Sequence, residues 1–83
     1  MKWNDDWREE LKTDYYPVWE RLAECRNTRK DIIIMAKLNY KYNRSKEPEE
    51  CLNRIVEWVT DWNGQSLSLI PDEEEKNEIL KQL

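Results

Sequence analysis

Apolar residues recur at helical spacing along the segment from residue 48 to residue 62. Placed 100° apart, seven of them fall within an arc of about 160°. They are Cys51, Leu52, Ile55, Val56, Trp58, Val59 and Trp62. Charged residues such as Glu50 and Asp61 fill the opposite side of the same projection. This spacing predicts an amphipathic helix, and Pro48 suits its first turn because a missing N–H costs nothing there.

One glycine and three prolines mark where the remaining segments end. We expect Asn4 to cap a first helix with acidic residues in its first turn, where the helix dipole favours anions. Pro17 disfavours helical geometry at Tyr16, which predicts a bend there, although one kinked helix is the alternative. A second apolar stripe then follows at Val18, Leu22 and Cys25.

A third helix is predicted to begin after Thr28 and to end near Asn43. Thr28 stands three residues before Asp31, which is the spacing of a capping box with aspartate in place of glutamate. The apolar run 32–35 could instead form a strand. The helical pattern continues beyond that run, and the sequence offers no second strand to pair with it. We therefore favour the helix.

The last third of the chain predicts one more helix. Gly64 suits a left-handed C-terminal cap, residues 65–70 are expected to be extended, and Pro71 with its acidic neighbours opens a final short helix. Ile79, Leu80 and Leu83 give that helix its apolar face. The sequence thus predicts an all-α fold, a small bundle of four to five short helices in which residues 1–83 form one domain.

The charges of this chain are sorted along its length. Residues 26–46 contain seven basic residues and one acid, although the whole chain carries a net charge of −4. Acidic segments lie on both sides, and residues 47–83 contain ten acids against three basic residues. Such segregation indicates either an anionic partner for the basic middle or pairing with the protein's own carboxylates.

On a single helical axis, five of these cations would lie within about 40° of one direction. We name this set the basic stripe: Arg26, Lys30, Lys37, Lys41 and Arg44. Tyr40 and Tyr42 interleave with it, an arrangement also found in grooves that bind polyanions. Three interpretations follow. The helix beginning at Pro48 or the acids 72–75 cover the stripe, an acidic patch on a protein partner binds it, or a nucleic acid or phosphate-bearing ligand binds it.

The chain contains five tryptophans and no phenylalanine. Trp7 and Trp58 are predicted to lie in the core. Trp3, Trp19 and Trp62 are candidates for a partner interface, because tryptophan is enriched among residues that dominate binding energy. The alternative is that all five tryptophans pack a small core.

Several classes of function are disfavoured. The chain has no histidine, and its two cysteines, Cys25 and Cys51, are expected to be small core residues, so we predict neither a metal site nor a cofactor. No glycine-rich phosphate loop or nucleophile motif is present, and we expect no enzymatic activity. No apolar run approaches the ~18 residues of a membrane span, and a cytosolic location is expected.

A short segment, Gln65-Ser66-Leu67-Ser68-Leu69-Ile70, resembles the peptide by which many bacterial proteins bind the DNA sliding clamp. In that peptide a glutamine precedes a Leu-Ser-Leu type run and a large apolar residue. Here Ser66 is an extra residue, and Ile70 replaces the commoner phenylalanine. The resemblance implies a docking peptide that inserts into a partner pocket. The alternative is that these leucines close the core.

Together these observations predict a small, acidic, charge-segregated protein that acts without catalysis. We expect it to bind a protein partner with an acidic patch and to modulate it as an inhibitor or adaptor, and homo-oligomerisation would suit its modest core. The profile is similar to that of accessory proteins of phages and other mobile elements. The alternative is a nucleic-acid or nucleotide-phosphate binder. The predicted contact residues are the basic stripe, Tyr40 and the tryptophans 3, 19 and 62.

Overall fold

The computed structural model describes residues 5–63 and 71–83, and every regular element in them is a helix. The predicted all-α bundle is confirmed, with five helices in the described ranges. They are α1 (Asp6–Asp14), α2 (Tyr16–Ala23), α3 (Arg29–Tyr42), α4 (Pro48–Asn63) and α5 (Glu73–Gln82). The predictions on Gly64 and on residues 65–70 lie outside the described residues.

The first two helices are separated by a break at Tyr15, whose backbone angles are φ −124° and ψ 43°. Pro17 lies in the first turn of α2, where its missing N–H costs no hydrogen bond. The predicted bend is therefore present one residue before Tyr16. At the start of α1 the N-cap is Asp5 rather than the predicted Asn4, which lies outside the described residues.

The end of α2 is closed by a Schellman motif in which Cys25 occupies the left-handed position. Cys25 has φ 57°, and its N–H donates to the Leu22 carbonyl at 3.0 Å. The Arg26 N–H donates to the Arg21 carbonyl at 2.8 Å, which completes the motif. Cys25 is exposed, so its predicted place in the apolar stripe is wrong, because the helix has ended two residues earlier.

A buried carboxylate joins α2 to the start of α3. Asp31 is only 1% exposed, and its two oxygens accept hydrogen bonds from Arg21 Nε at 2.9 Å and Arg21 Nη2 at 2.6 Å. The Thr28 N–H also donates to Asp31 at 2.9 Å, and the Thr28 hydroxyl accepts from the Asp31 N–H at 3.4 Å. The predicted capping box is present, and the same aspartate serves as the partner of Arg21.

Burial acts to raise the pKa of Asp31, but the hydrogen bonds and charge of Arg21 and the Thr28 N–H hold that pKa below its ordinary value of 3.8. Asp31 therefore remains a carboxylate at neutral pH inside the fold. Its ionised form is stabilised by groups from both sides of the α2–α3 turn.

The C-terminus of α3 is closed by Asn43. Its backbone N–H and its side-chain Nδ2 both donate to the Asn39 carbonyl at 2.9 Å, and the residue is buried. These bonds satisfy a carbonyl that the end of a helix leaves without a partner. The end of α3 agrees with the predicted boundary near Asn43.

The core is built around α3, which packs most extensively against α4 and then against α1. The central cluster takes side chains from all five helices. Its buried members include Trp7 and Leu11, Val18, Ile32, Met35, Ala36 and Leu38, Leu52, Ile55 and Val59, and Ile79. Trp7 is 2% exposed as predicted, whereas Trp58 is half-buried at the edge of this cluster. Within the described ranges, no helix is both long and apolar enough to cross a bilayer.

Replacing Cys25 with glycine is expected to raise the free energy of unfolding by roughly 0.5–1 kcal/mol. A left-handed conformation is costly for a residue with a Cβ atom, and glycine adopts it freely. Urea denaturation monitored by circular dichroism measures the change. Cys25→Ala is the matched control, because it removes the thiol but keeps the Cβ atom. An equal gain in both variants would contradict the backbone explanation.

Replacing Asp31 with asparagine is expected to lower the free energy of unfolding by about 2 kcal/mol at neutral pH, because a charged acceptor of three hydrogen bonds is lost. Since the folded-state pKa of Asp31 lies below 3.8, this stability is fully present above that pH and is lost as pH falls through the folded-state value.

The difference in the free energy of unfolding between the wild-type protein and Asp31→Asn should therefore narrow only under acidic conditions. Urea denaturation over a pH series measures this difference. Asp61→Asn, which changes an exposed residue of α4, should produce no comparable gap at any pH. A gap for Asp31→Asn that stays constant through strong acid would contradict the ionic origin of this stability.

Candidate functional site

The basic stripe is shared between α3 and the turns on either side of it. Lys30, Lys37 and Lys41 lie on α3, whereas Arg26 precedes the helix and Arg44 lies in the turn after it. The premise that all five cations share one helical axis is therefore wrong. The Thr28 capping box and the Asn43 cap limit α3 to 14 residues.

Two members of the basic stripe have ionic partners on the protein itself. Arg26 pairs with Glu24 at 3.3 Å on the exposed turn after α2. Lys41 pairs with Glu10 of α1 at 3.1 Å. Hydrogen bonds from Tyr42 and Lys41 lower the pKa of Glu10, and the bond to Glu10 raises the pKa of Lys41. Glu10 thus neutralises one cation of the stripe.

Among the described residues, neither of the two acidic segments expected to cover the basic stripe forms an ion pair with it. The acids 72–75 reach the basic segment through an ion pair between Glu75 and Arg29, a cation outside the basic stripe. Within the described residues, no acid of α4 forms an ion pair with any of the five cations of the stripe. Sequence patterning did not identify Glu10 as a partner, because its position beside Lys41 depends on how α1 packs on α3.

Lys30 and Lys37 are both exposed, and no carboxylate of the described residues lies within ion-pair distance of either. The segments 1–4 and 64–70 contain no aspartate or glutamate. The side-chain carboxylates of this chain therefore leave both cations uncovered. Lys37 follows Lys30 by seven positions on α3, so the two lie about 10 Å apart on one face of the helix.

Tyr40 and Arg44 extend this surface toward the C-terminal end of α3. Tyr40 is half-buried, and the guanidinium carbon of Arg44 lies 6.0 Å from the centre of its ring. This distance suits a weak cation–π contact, which holds an exposed arginine beside the helix.

The three interface tryptophans have different environments. Trp62 is 49% exposed at the end of α4, whereas Trp19 is half-buried and packs against the core. Trp3 lies outside the described residues. The Trp62 carbonyl lies 3.8 Å from the Cys25 thiol, which brings Trp62 to the same end of the molecule as Arg26.

Trp62 is the outer member of a row of aromatic rings. Trp7 and Trp58 meet edge to face with ring centres 5.1 Å apart, and Trp58 and Trp62 are 6.1 Å apart. The Arg8 guanidinium lies 5.4 Å from the Trp7 ring centre and 5.1 Å from that of Trp58. Arg8 was missed in the sequence analysis, since its contact with α4 is visible only after α1 and α4 have packed.

Tyr15 and Tyr16 form a second exposed aromatic position, which is absent from the predicted contact residues. They are 38% and 56% exposed at the break between α1 and α2. Among residues 5–63 and 71–83, no three histidine, cysteine, aspartate or glutamate side chains are grouped so as to hold a metal ion.

Comparisons with protein-family models, with curated proteins and with solved structures find no match to this chain. The function is therefore inferred from the side chains of the chain itself.

The two thiols should differ sharply in reactivity. Cys25 is exposed, whereas Cys51 is fully buried and its burial raises its pKa to about 11. A thiol reagent such as dithionitrobenzoate should modify one cysteine rapidly in the folded protein and both in denaturant. In Cys25→Ser the remaining thiol should react at least about a hundredfold more slowly than the thiol of Cys51→Ser. Similar rates in the two folded variants would contradict the burial of Cys51.

Proposed function

We propose that this chain is a non-catalytic binding protein that docks on an acidic patch of a protein partner through α3. One observation carries the proposal. Lys30 and Lys37 are exposed on one face and are left without a carboxylate partner, although the chain contains more acids than basic residues. Other cations next to α1 and α5 do have partners, namely Lys41 with Glu10 and Arg29 with Glu75.

Two cations about 10 Å apart on a helix suit a partner that presents two carboxylates at a similar separation. Charge complementarity of this kind increases the rate of encounter and sets the orientation of the complex. Tyr40, beside Arg44 at one end of the helix, adds an aromatic surface that can be buried in the contact. Docking of this kind suits an inhibitor or adaptor, which acts by occupying a surface and needs no reactive group.

Nucleic acid is the weaker candidate for the same face. Glu10 neutralises Lys41, and α5 brings Glu74 and Glu78 to the neighbouring side of α3. These carboxylates would repel a phosphate backbone, whose binding depends on accumulating several unneutralised cations. A protein patch with two carboxylates needs only the local pair of lysines.

Replacing both Lys30 and Lys37 with glutamate is expected to weaken partner binding roughly 10- to 100-fold, because each attraction becomes a repulsion. The partner is first isolated by affinity capture from lysate of the source organism, with and without nuclease. Its affinity for purified variants is then measured by calorimetry at two salt concentrations. Retention after nuclease treatment and a moderate salt dependence are expected.

Lys12→Glu with Arg54→Glu is the matched control, because it changes the net charge equally on other exposed surfaces. It should keep affinity within a few-fold of the wild-type value. Equal losses in the two double variants would contradict a specific role of α3. Loss of the partner after nuclease treatment, with a steep dependence on salt, would favour the nucleic-acid alternative.

A further inference from the structure

A cavity of about 380 Å³ lies between α3 and α5. Its volume is at the small end of the ~300–1,000 Å³ range of ligand pockets, which suits one long side chain better than a whole helix. Arg29 and Ile33 line it from α3, and Glu74, Glu78 and Ile79 are among its residues from α5.

The cavity has an apolar base and acidic edges. Ile33 is half-buried and Ile79 is 6% exposed, so only part of each aliphatic side chain is accessible. Glu74 and Glu78 are exposed and lie four residues apart, on the same side of α5. Two like charges at this spacing repel each other, and a cation placed between them would relieve that repulsion.

Arg29 shows within the protein itself how an arginine binds a carboxylate of this cavity. Its guanidinium contacts the Glu75 carboxylate, and both residues line the cavity. Arginine suits such a place because its aliphatic stem packs on apolar surface while its planar head binds carboxylates. Glu78 also pairs with Lys81 at 3.2 Å, but both side chains are largely exposed, and such surface pairs contribute little.

We propose that this cavity receives an arginine side chain of the protein partner. The arginine stem lies against Ile33 and Ile79, and its guanidinium binds Glu74 and Glu78. This inference rests on the proposed function and specifies the partner further. Carboxylates of the partner bind Lys30 and Lys37, and an arginine beside them enters the cavity, so the partner surface carries both signs of charge.

The probe for this pocket is the peptide acetyl-Ala-Ala-Arg-Ala-Ala-amide, titrated into the ¹⁵N-labelled protein and followed by NMR. The same peptide with citrulline in place of arginine is the control probe, since citrulline keeps the shape and lacks the charge. Saturable shifts at the amides of Ile33, Glu78 and Ile79 are expected, with a dissociation constant on the order of 1 mM. The citrulline peptide should bind at least tenfold more weakly.

Glu74→Gln with Glu78→Gln should weaken binding of the arginine peptide at least tenfold. Glu49→Gln with Glu57→Gln makes the same change in net charge on the exposed side of α4 and should retain affinity within twofold. Amide spectra of both double variants check that the fold is kept. Equal binding of the two peptides, an equal loss in the two double variants, or an absence of saturable shifts at the cavity would overturn the proposal.

A second copy of this chain is the rival occupant. It would produce shifts at Ile33 and Ile79 on simple concentration of the protein without peptide, and that result would also overturn the proposal. The variant Lys30→Glu with Lys37→Glu separates this inference from the proposed function. This variant should lose affinity for the protein partner but should still bind the arginine peptide. An error in the proposed function and an error in the proposed pocket therefore give different results.

Discussion

The ionic contact of Asp31 with Arg21 and Thr28 is the constraint on which the rest of the structure depends. It joins the end of α2 to the first turn of α3, and it buries a carboxylate whose charge is stabilised by hydrogen bonds from Arg21 and from the Thr28 N–H. With the first turn held in place, the rotation of α3 about its axis is set. Ile32, Met35 and Ala36 then face the core, and the lysines of the same helix face outward.

The rotation of α3 also determines how the protein uses its charges. The helices beside α3 supply carboxylates to the cations at its edges, as Glu10 of α1 does for Lys41 and Glu75 of α5 does for Arg29. The cations in the middle of the exposed face are beyond the reach of either neighbour. A chain with an excess of acids therefore still presents Lys30 and Lys37 without an ion-pair partner among the described residues. This difference between paired cations at the edges of α3 and unpaired lysines on its exposed face is the physical basis of both proposals. The unpaired lysines can attract carboxylates, and they lie next to an acidic cavity.

Much of the fold could be predicted because its signals are local. The apolar arc from Cys51 to Trp62 predicted α4, and the Thr28–Asp31 pair predicted the start of α3. Pro71 and the acids after it predicted the start of α5, where Asp72 accepts from the Glu75 N–H at 2.8 Å. Each of these signals acts over one or two helical turns. The error at Cys25 also has a local cause. Its apolar character suggested the core, but the Schellman motif that ends α2 turned it outward.

The sequence by itself determined the all-α class, the order of the helices, the Thr28 capping box and the segregation of charge, since all of these depend on neighbours a few residues away. Only the tertiary structure decided which charges meet. The contact of Glu10 with Lys41 spans 31 residues and that of Glu75 with Arg29 spans 46. Such pairs depend on the angles at which helices pack. The five cations of the predicted stripe therefore have three different environments in the folded protein. Among the described residues, Lys30 and Lys37 have no ion-pair partner, Arg44 lies beside Tyr40, and Arg26 and Lys41 each pair with a glutamate.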